Sequence, residues 1–219
     1  MKDQIKEIKE QLRLFMNGVV SHSMRKKGLD YKLIFGVELP RLKEIAAQFE
    51  SSQLLAEALW IENSRECKIL ATMLYPKEQF TIEVANLWVE DITNIEMARL
   101  LSMNLLQHMS YAPVASFSWI ASNREFVQVV GYLTISRLLR TTDDMDERAA
   151  DEFTNQAIAA SVSGDYHLRS AAIQALKSFM QMNNTHKEML LNLTSNYSNS
   201  EVENEKLLYN HVQEEALYL

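Results

Sequence analysis

The sequence predicts an all-α protein built as a solenoid of antiparallel helix pairs. Only 5 glycines and 3 prolines occur in 219 residues, and these are the residues that a many-stranded fold needs at its turns. The composition of 47% hydrophobic and 23% charged residues is that of a globular protein rather than a disordered chain. Apolar residues also recur at intervals of three and four along most of the chain, which is the helical period.

The N-terminal region begins with a helix and then loses its helical pattern. Residues 2–20 place an apolar face opposite a charged one. The apolar members are Ile5, Ile8, Leu12, Phe15 and Met16. Residues 21–36 are predicted to be the least helical part of this half, with Gly28 and Gly36 bounding an aromatic and apolar loop. Pro40 then suits the first turn of a helix, where its missing N–H costs nothing.

Short polar residues ahead of apolar runs mark the starts of the later helices. Such starts are predicted at Ser51-Ser52, Asn94, Pro113 and Asp165. In a capping box, the N-cap side chain and a glutamate three positions later bond to each other's backbone. The spacing predicts this device at Asn63/Glu66, Ser122/Glu125, Thr185/Glu188 and Ser198/Glu201.

The helix pairs recur with a regular period. Their second helices are predicted to begin near Asn63, Asn94, Asn123, Asp165 and Ser200. Intervals of about 30 to 40 residues are typical of HEAT-like repeats, whose pairs stack into a superhelix because none buries its apolar face alone. We therefore expect residues 1–219 to form a single HEAT-like domain, with the acidic segment TTDDMDE (141–147) as a loop between repeats.

The charge of the chain is unevenly distributed. Its net charge of −7 argues against an all-over nucleic-acid coat. However, residues 1–50 carry 10 Lys and Arg against 7 Asp and Glu, whereas residues 143–219 carry 5 against 13. An anionic partner should therefore contact the N-terminal half.

A basic cluster beside an aromatic residue is the strongest candidate for such a contact. Arg25, Lys26 and Lys27 precede Tyr31, and this pattern indicates either phosphate binding or a solvated loop. Helix N-termini also attract phosphate, so further cations near helix ends could extend the surface. They are Arg124, Arg137, Arg140 and Arg169.

Motifs for other chemistries do not occur in the sequence. The five histidines are far apart and Cys67 is the single cysteine, so we predict neither a metal site nor a disulfide. No glycine-rich phosphate loop or nucleophile elbow occurs, and we expect no cofactor. Cys67 and the three tryptophans are predicted to lie in the core. Residues 1–13 lack the apolar core of a signal peptide and no run reaches the ~18 residues of a membrane span, so we expect a cytoplasmic protein.

Three stretches resemble the DNA alkylation repair glycosylases of the AlkD-like type. They are SMRKKGLDYKLIFGVELPRLKEIA (23–46), AEALWIENSRECKILATML (56–74) and LWVEDITNIEMARLL (87–101). The first is a fairly specific marker of the family and the others are more generic. The resemblance implies a HEAT-like superhelix that binds duplex DNA and excises positively charged bases such as 3-methyladenine and 7-methylguanine.

The resemblance also implies a set of catalytic positions. The family uses two aromatic residues around the deoxyribose of the lesion, an aspartate against the positive charge that develops on the sugar, and a nearby arginine on the phosphate. In this chain the first aromatic position falls on Ile95 and the aspartate position on Arg99. The arginine position falls on Val129 and the second aromatic position on Gln174. Of the neighbouring carboxylates, Glu96 is the best candidate to replace the aspartate; Glu90 and Asp91 are the others.

Three hypotheses for the function follow. The first is a DNA-alkylation-repair-like protein that binds duplex DNA on a concave surface, with weak or absent excision because the catalytic positions are replaced. The second, an inactive HEAT-repeat scaffold that binds a protein partner in its groove, is favoured by the acidic C-terminal third. The third is an active glycosylase that uses Glu96 in a changed register.

Overall fold

The computed structural model describes residues 1–142 and 145–219. In this part of the chain the regular structure consists of thirteen α-helices and three short 3-10 helices, without any strand. An isolated parallel bridge joins Leu33 to Ser64. The all-α prediction is confirmed. The chain divides into two compact units, Met1–Ala85 and Asn86–Leu219, and the single domain expected over residues 1–219 stays a prediction.

The first unit contains five complete helices and a long loop. The helices are α1 (Lys2–Leu14), α2 (Gly18–Lys26), α3 (Leu39–Ala46), α4 (Gln53–Trp60) and α5 (Arg65–Leu74). A sixth helix, α6 (Ile82–Glu90), crosses from the first unit into the second. The fully buried members of the core of the first unit include Ile8, Leu12, Leu42, Ile45, Leu55 and Leu59. Of the apolar face predicted for residues 2–20, Phe15 and Met16 lie beyond the end of α1 and are 42% and 62% exposed, so the prediction is wrong for these two residues.

The second unit continues the alternation of first and second helices. Its helices are α7 (Ile95–Asn104), α8 (Ala112–Ile120), α9 (Glu125–Leu138), α10 (Glu147–Ser161), α11 (Tyr166–Met180), α12 (Asn184–Thr194) and α13 (Glu203–Tyr218). The second helices thus begin at residues 65, 95, 125, 166 and 203, each within three residues of the predicted start. Of the segment predicted as a loop (141–147), Asp143 and Asp144 lie outside the described residues.

Several predicted helix starts are confirmed by their cap geometry. Ser52 Oγ accepts from the Leu55 N–H at 3.4 Å, and Asn94 Oδ1 accepts from the Met97 N–H at 3.0 Å. Pro40 and Pro113 both lie in the first turn of their helices, as expected. Cys67 and the tryptophans at positions 60, 88 and 119 are buried, also as expected.

The four predicted capping boxes are wrong, because those helices have other residues as their N-caps. Helix α5 has Ser64 as its N-cap, and Glu66 bonds to a distant loop instead. Ser122 Oγ accepts from Arg124 N–H, one residue too early for the box. Asn183, not Thr185, caps α12, and α13 begins beyond both Ser198 and Glu201.

Residues 21–36, predicted to be the least helical part of this half, begin inside α2, which ends at Lys26. Asn17 Oδ1 accepts from both Val19 N–H and Val20 N–H at 3.1 Å, and this side chain starts α2. The Asn17-Gly18 pair is therefore a helix start as well as the break after α1. The irregular loop spans residues 27–38, between α2 and α3, and its two glycines have φ values of 90° at Gly28 and 73° at Gly36.

Candidate nucleic-acid interface

The basic cluster of the first unit lies at the end of α2 and at the start of the loop. Arg25 is exposed, but its Nη1 donates to the Tyr31 carbonyl at 2.8 Å and its Nη2 to the Lys32 carbonyl at 3.3 Å. This guanidinium therefore braces the loop. Lys26 and Lys27 are exposed and form no ion pair with other residues in the described part of the chain. Tyr31 is 7% exposed, which leaves little of its ring for a nucleobase.

A buried carboxylate holds the other end of this loop. Glu66 accepts from the backbone N–H groups of Phe35, Gly36 and Val37, at 3.0, 2.9 and 3.3 Å. The guanidinium of Arg65 donates to the same carboxylate at 2.9 Å and to the Val37 carbonyl at 3.0 Å. A buried charge is stable only when paired and hydrogen-bonded in this way. The loop within the segment that most resembles the family (23–46) is thus held by hydrogen bonds with Arg25 at one end and with Arg65 and Glu66 at the other.

In the second unit, three of the second helices lie side by side. The central one, α9, contacts α7 through a bond from Thr134 Oγ1 to Ser102 Oγ at 3.1 Å. It contacts α11 through Ser136 Oγ, which lies 2.9 Å from Ser178 Oγ and accepts from Gln174 Nε2 at 3.2 Å. These small hydroxyl side chains allow the helices to approach each other closely, and their mutual hydrogen bonds satisfy the buried polar groups. The helices that carry the predicted catalytic positions are therefore neighbours.

Helix α7 presents the two residues predicted to replace the catalytic pair. Asn94 fixes the start of the helix, which places Ile95 and Glu96 in its first turn, both half-buried. Arg99 lies one turn further on. It is exposed and forms no hydrogen bond or ion pair with the other described residues. The structure thus offers a cation to solvent at the position that the resemblance assigns to the aspartate of the family.

The remaining positions that the resemblance assigns to catalysis do not present the groups that the family uses. Val129 is 0% exposed in α9, so this position packs in the core instead of contacting a phosphate. Gln174 is half-buried and is bonded to Ser136 of the neighbouring helix. The structure therefore brings Gln174 next to α9, and the two predicted aromatic positions, Ile95 and Gln174, carry no aromatic ring.

Two predicted DNA-contacting arginines are bonded to backbone carbonyls at or beyond the end of a preceding helix. Arg124 Nη2 donates to the Glu90 carbonyl at 2.7 Å, and its Nη1 forms an ion pair with the Glu90 carboxylate. Arg169 Nη1 donates to the carbonyls of Ser163 at 2.7 Å and Gly164 at 3.3 Å. Both guanidiniums connect the end of one helix to the start of another. The Arg124 side chain remains half exposed and Arg169 is part-buried.

A groove between α11 and α13 was not predicted from the sequence. This α11–α13 groove has a volume of about 360 Å³. It is lined by Tyr166, Arg169, Ile173 and Lys177 of α11 and by Leu207 and His211 of α13. Residues 166, 169, 173 and 177 share one face of α11, and this spacing is visible in the sequence. The other two lining residues belong to α13, about forty residues later in the chain, and no local pattern connects them to α11.

Two basic side chains of the α11–α13 groove, His211 and Lys177, differ in charge at neutral pH. Burial, together with the positive charge of Lys177, lowers the pKa of His211, although Glu214 opposes the shift. Its imidazole is therefore mainly neutral at pH 7. Lys177 Nζ lies 3.4 Å from Glu215 Oε2, and Gln181 Nε2 donates to the other oxygen of Glu215 at 2.6 Å. Glu215 thus holds the Lys177 ammonium in place beside the groove.

The described residues provide no group of three or more His, Cys, Asp or Glu side chains that would hold a metal ion. Burial raises the pKa of the Cys67 thiol from 9.0 to about 11, which opposes a nucleophilic role. Among the helices that are described, none has the length and apolar character needed to cross a membrane.

Residues 8–154 match the model of the DNA alkylation repair enzyme family. The chain belongs to this family. Its fold is similar to a solved structure described as "a new family of proteins related to the HEAT-like repeat DNA glycosylases with affinity for branched DNA structures". That similarity has a TM-score of 0.81 at 16% identity and covers 97% of this chain and 94% of the other. The HEAT-like fold is thereby confirmed. No curated protein sequence matches the chain.

Proposed function

We propose that this protein binds duplex DNA, including branched duplexes, through phosphate contacts, and that it excises alkylated purines weakly or not at all. The observation that carries the proposal is the exposed, unpaired guanidinium of Arg99 on α7, judged against the described residues. Family membership and the affinity for branched DNA stated for the structural neighbour support the DNA partner.

The charge at Arg99 is the reason to expect little excision. Departure of the base leaves an oxocarbenium-like sugar, which a carboxylate stabilises and a guanidinium repels. Loss of such electrostatic stabilisation costs on the order of 3 kcal/mol of transition-state energy, or more than a hundredfold in rate. The same guanidinium is well suited to a phosphate, which it can bind through two parallel N–H groups.

The test of catalysis is release of 7-methylguanine from alkylated duplex DNA. We expect no release above the uncatalysed background, with or without an Arg99→Ala change. Robust release that Glu96→Gln abolishes would overturn this part of the proposal. It would establish Glu96, which lies in the first turn of the same helix, as the catalytic carboxylate.

The test of binding is the salt dependence of affinity for a plain duplex and for a four-way junction. Each phosphate contact that is lost lowers the slope of log affinity against log salt by about 0.9. Lys26→Gln combined with Lys27→Gln should lower the slope by about 2. Arg25 is left intact because it braces the loop.

The matched control is Lys187→Gln combined with Lys206→Gln, which removes the same charge from the acidic C-terminal third. We expect the control pair to leave the slope unchanged. Equal slopes for the wild-type protein, the Lys26/Lys27 variant and the control variant would show that Lys26 and Lys27 do not contact the DNA. Absence of binding to plain, branched and alkylated DNA would instead leave the protein-interaction scaffold as the function.

A further inference from the structure

The α11–α13 groove combines two cations with an apolar floor. Arg169 and Lys177 lie two turns apart on α11, and Ile173 lies between them. Leu207 of α13 provides the opposite side of the floor and is 37% exposed. A volume of about 360 Å³ is within the range of sites that bind small organic molecules. The groove is therefore suited to an amphipathic anion.

The guanidinium of Arg169 retains binding capacity toward such an anion. Both of its bonds to the carbonyls of Ser163 and Gly164 are made by Nη1. An arginine has five N–H donors, so those on Nη2 and Nε stay available. The two carbonyl bonds also fix the guanidinium, which lowers the entropy lost when it binds a ligand.

An exposed aromatic ring flanks the groove. Tyr166 is 69% exposed although it is a large side chain. Its ring lies 5.9 Å from the Arg169 guanidinium carbon and meets His167 edge-on at 5.5 Å. These neighbours orient the ring and leave most of its surface in water. Such a ring is a platform on which a nucleobase can stack.

We propose that the α11–α13 groove binds one unpaired nucleotide at a DNA branch point. The base stacks on Tyr166 and covers the floor of Ile173 and Leu207, while the phosphate contacts Arg169 and Lys177. A paired base does not fit this role, because its faces are covered by its neighbours in the duplex. The inference rests on the proposed DNA binding and adds a preference for branches that carry unpaired nucleotides.

The experiment uses a three-way DNA junction with an unpaired 2-aminopurine at the branch, together with a continuous duplex. On binding of the full chain we expect the fluorescence of 2-aminopurine to be quenched by the tyrosine ring. Tyr166→Ala should abolish the quenching and weaken junction binding about tenfold, with duplex binding unchanged. Tyr166→Phe should retain both the quenching and the affinity.

A second variant tests the floor of the groove independently. Leu207→Glu places a carboxylate where the nucleotide would lie and should weaken binding of this junction about tenfold as well. Leu217→Glu is its control on the same helix, because Leu217 is 84% exposed and outside the groove. Tyr218→Ala is the control for Tyr166→Ala, because Tyr218 is also an exposed tyrosine (88%) and lies outside the groove.

The outcomes separate the two proposals. If the wild-type chain binds the duplex with a steep salt dependence but Tyr166→Ala and Leu207→Glu match their controls, only the groove is refuted. If the wild-type chain binds neither DNA, the proposed function and the groove both fail. Thermal unfolding of each variant checks that these exposed positions leave the fold intact.

Discussion

Arg65 and Glu66 are neighbours in the sequence, and both side chains are buried and bonded to each other. Their closest atoms, Arg65 Nη1 and Glu66 Oε1, are 2.9 Å apart, and the side chains are 4% and 0% exposed. The pair fixes residues 35–37, which lie about thirty positions earlier in the chain. Its role is structural, because it holds the loop next to the basic cluster in one conformation.

The first prediction concerns this pair. Glu66→Gln should lower the free energy of unfolding by about 3 kcal/mol, because the Arg65 charge would remain buried without its partner. Urea unfolding followed by circular dichroism measures the change. The control is Glu62→Gln, which breaks the ion pair with Lys9 at 2.8 Å. That pair is partly exposed and should contribute less than about 1 kcal/mol. Equal losses of unfolding free energy in Glu66→Gln and Glu62→Gln would contradict the structural role of Glu66.

A second prediction compares the two glycines of the loop, which both have positive φ values. An added Cβ at Gly36 would lie 2.3 Å from the Asn17 carbonyl oxygen, whereas nothing lies within 4 Å at Gly28. Gly28→Ala should therefore cost only the left-handed backbone strain, about 1 kcal/mol. Gly36→Ala should cost at least about 2 kcal/mol more, because backbone atoms must move. Similar unfolding midpoints for both variants would argue against this close approach.

The third prediction concerns the start of α7, the helix that carries Arg99. Asn94→Ala removes the side chain that caps Met97 N–H and should cost about 1 kcal/mol of stability. Asp165→Ala at the start of α11 is the comparison, since Asp165 makes no capping bond. Only its favourable charge at the helix N-terminus is lost there, so a smaller effect is expected. Urea unfolding should show a larger loss of unfolding free energy for Asn94→Ala than for Asp165→Ala. The reverse order would contradict the capping role of Asn94.

A fourth prediction uses the single thiol. Burial raises the pKa of Cys67 to about 11, so at pH 8 the native protein has roughly a hundredfold less thiolate than a free cysteine of pKa 9. Reaction with Ellman's reagent should therefore be slow in buffer and fast in urea. Because the folded-state pKa lies above the unfolded value, Cys67 should also reduce stability as the pH rises from 9 to 11. Rapid labelling of the native chain would contradict this burial.

Local signals in the sequence predicted most helices correctly, and at Asn63 and Glu66 they failed because each side chain has a distant partner. Ser52 and Asn94 cap the helix that follows each of them, so short-range spacing was sufficient there. Glu66 has the spacing of a capping glutamate, but its bonds to residues 35–37 cannot be read from its neighbours. Asn63 likewise accepts from the Lys32 N–H instead of capping α5.

The candidate interface was only partly accessible from the sequence for the same reason. The exposed position of Arg99 follows from the helical period of α7 once its start is known. By contrast, the bonds of Arg25 and Arg169 to backbone carbonyls depend on how the chain turns back on itself. The α11–α13 groove depends on the packing of two helices, which no local pattern specifies.

The bonds to Glu66 also constrain the order in which the chain can fold during synthesis. The backbone N–H groups of residues 35–37 leave the ribosome about thirty residues before their carboxylate acceptor does. Until then water is their partner, although these residues are buried in the finished protein. A nascent chain that ends before Arg65 should therefore keep this loop open to proteases, and addition of the first turn of α5 should close it.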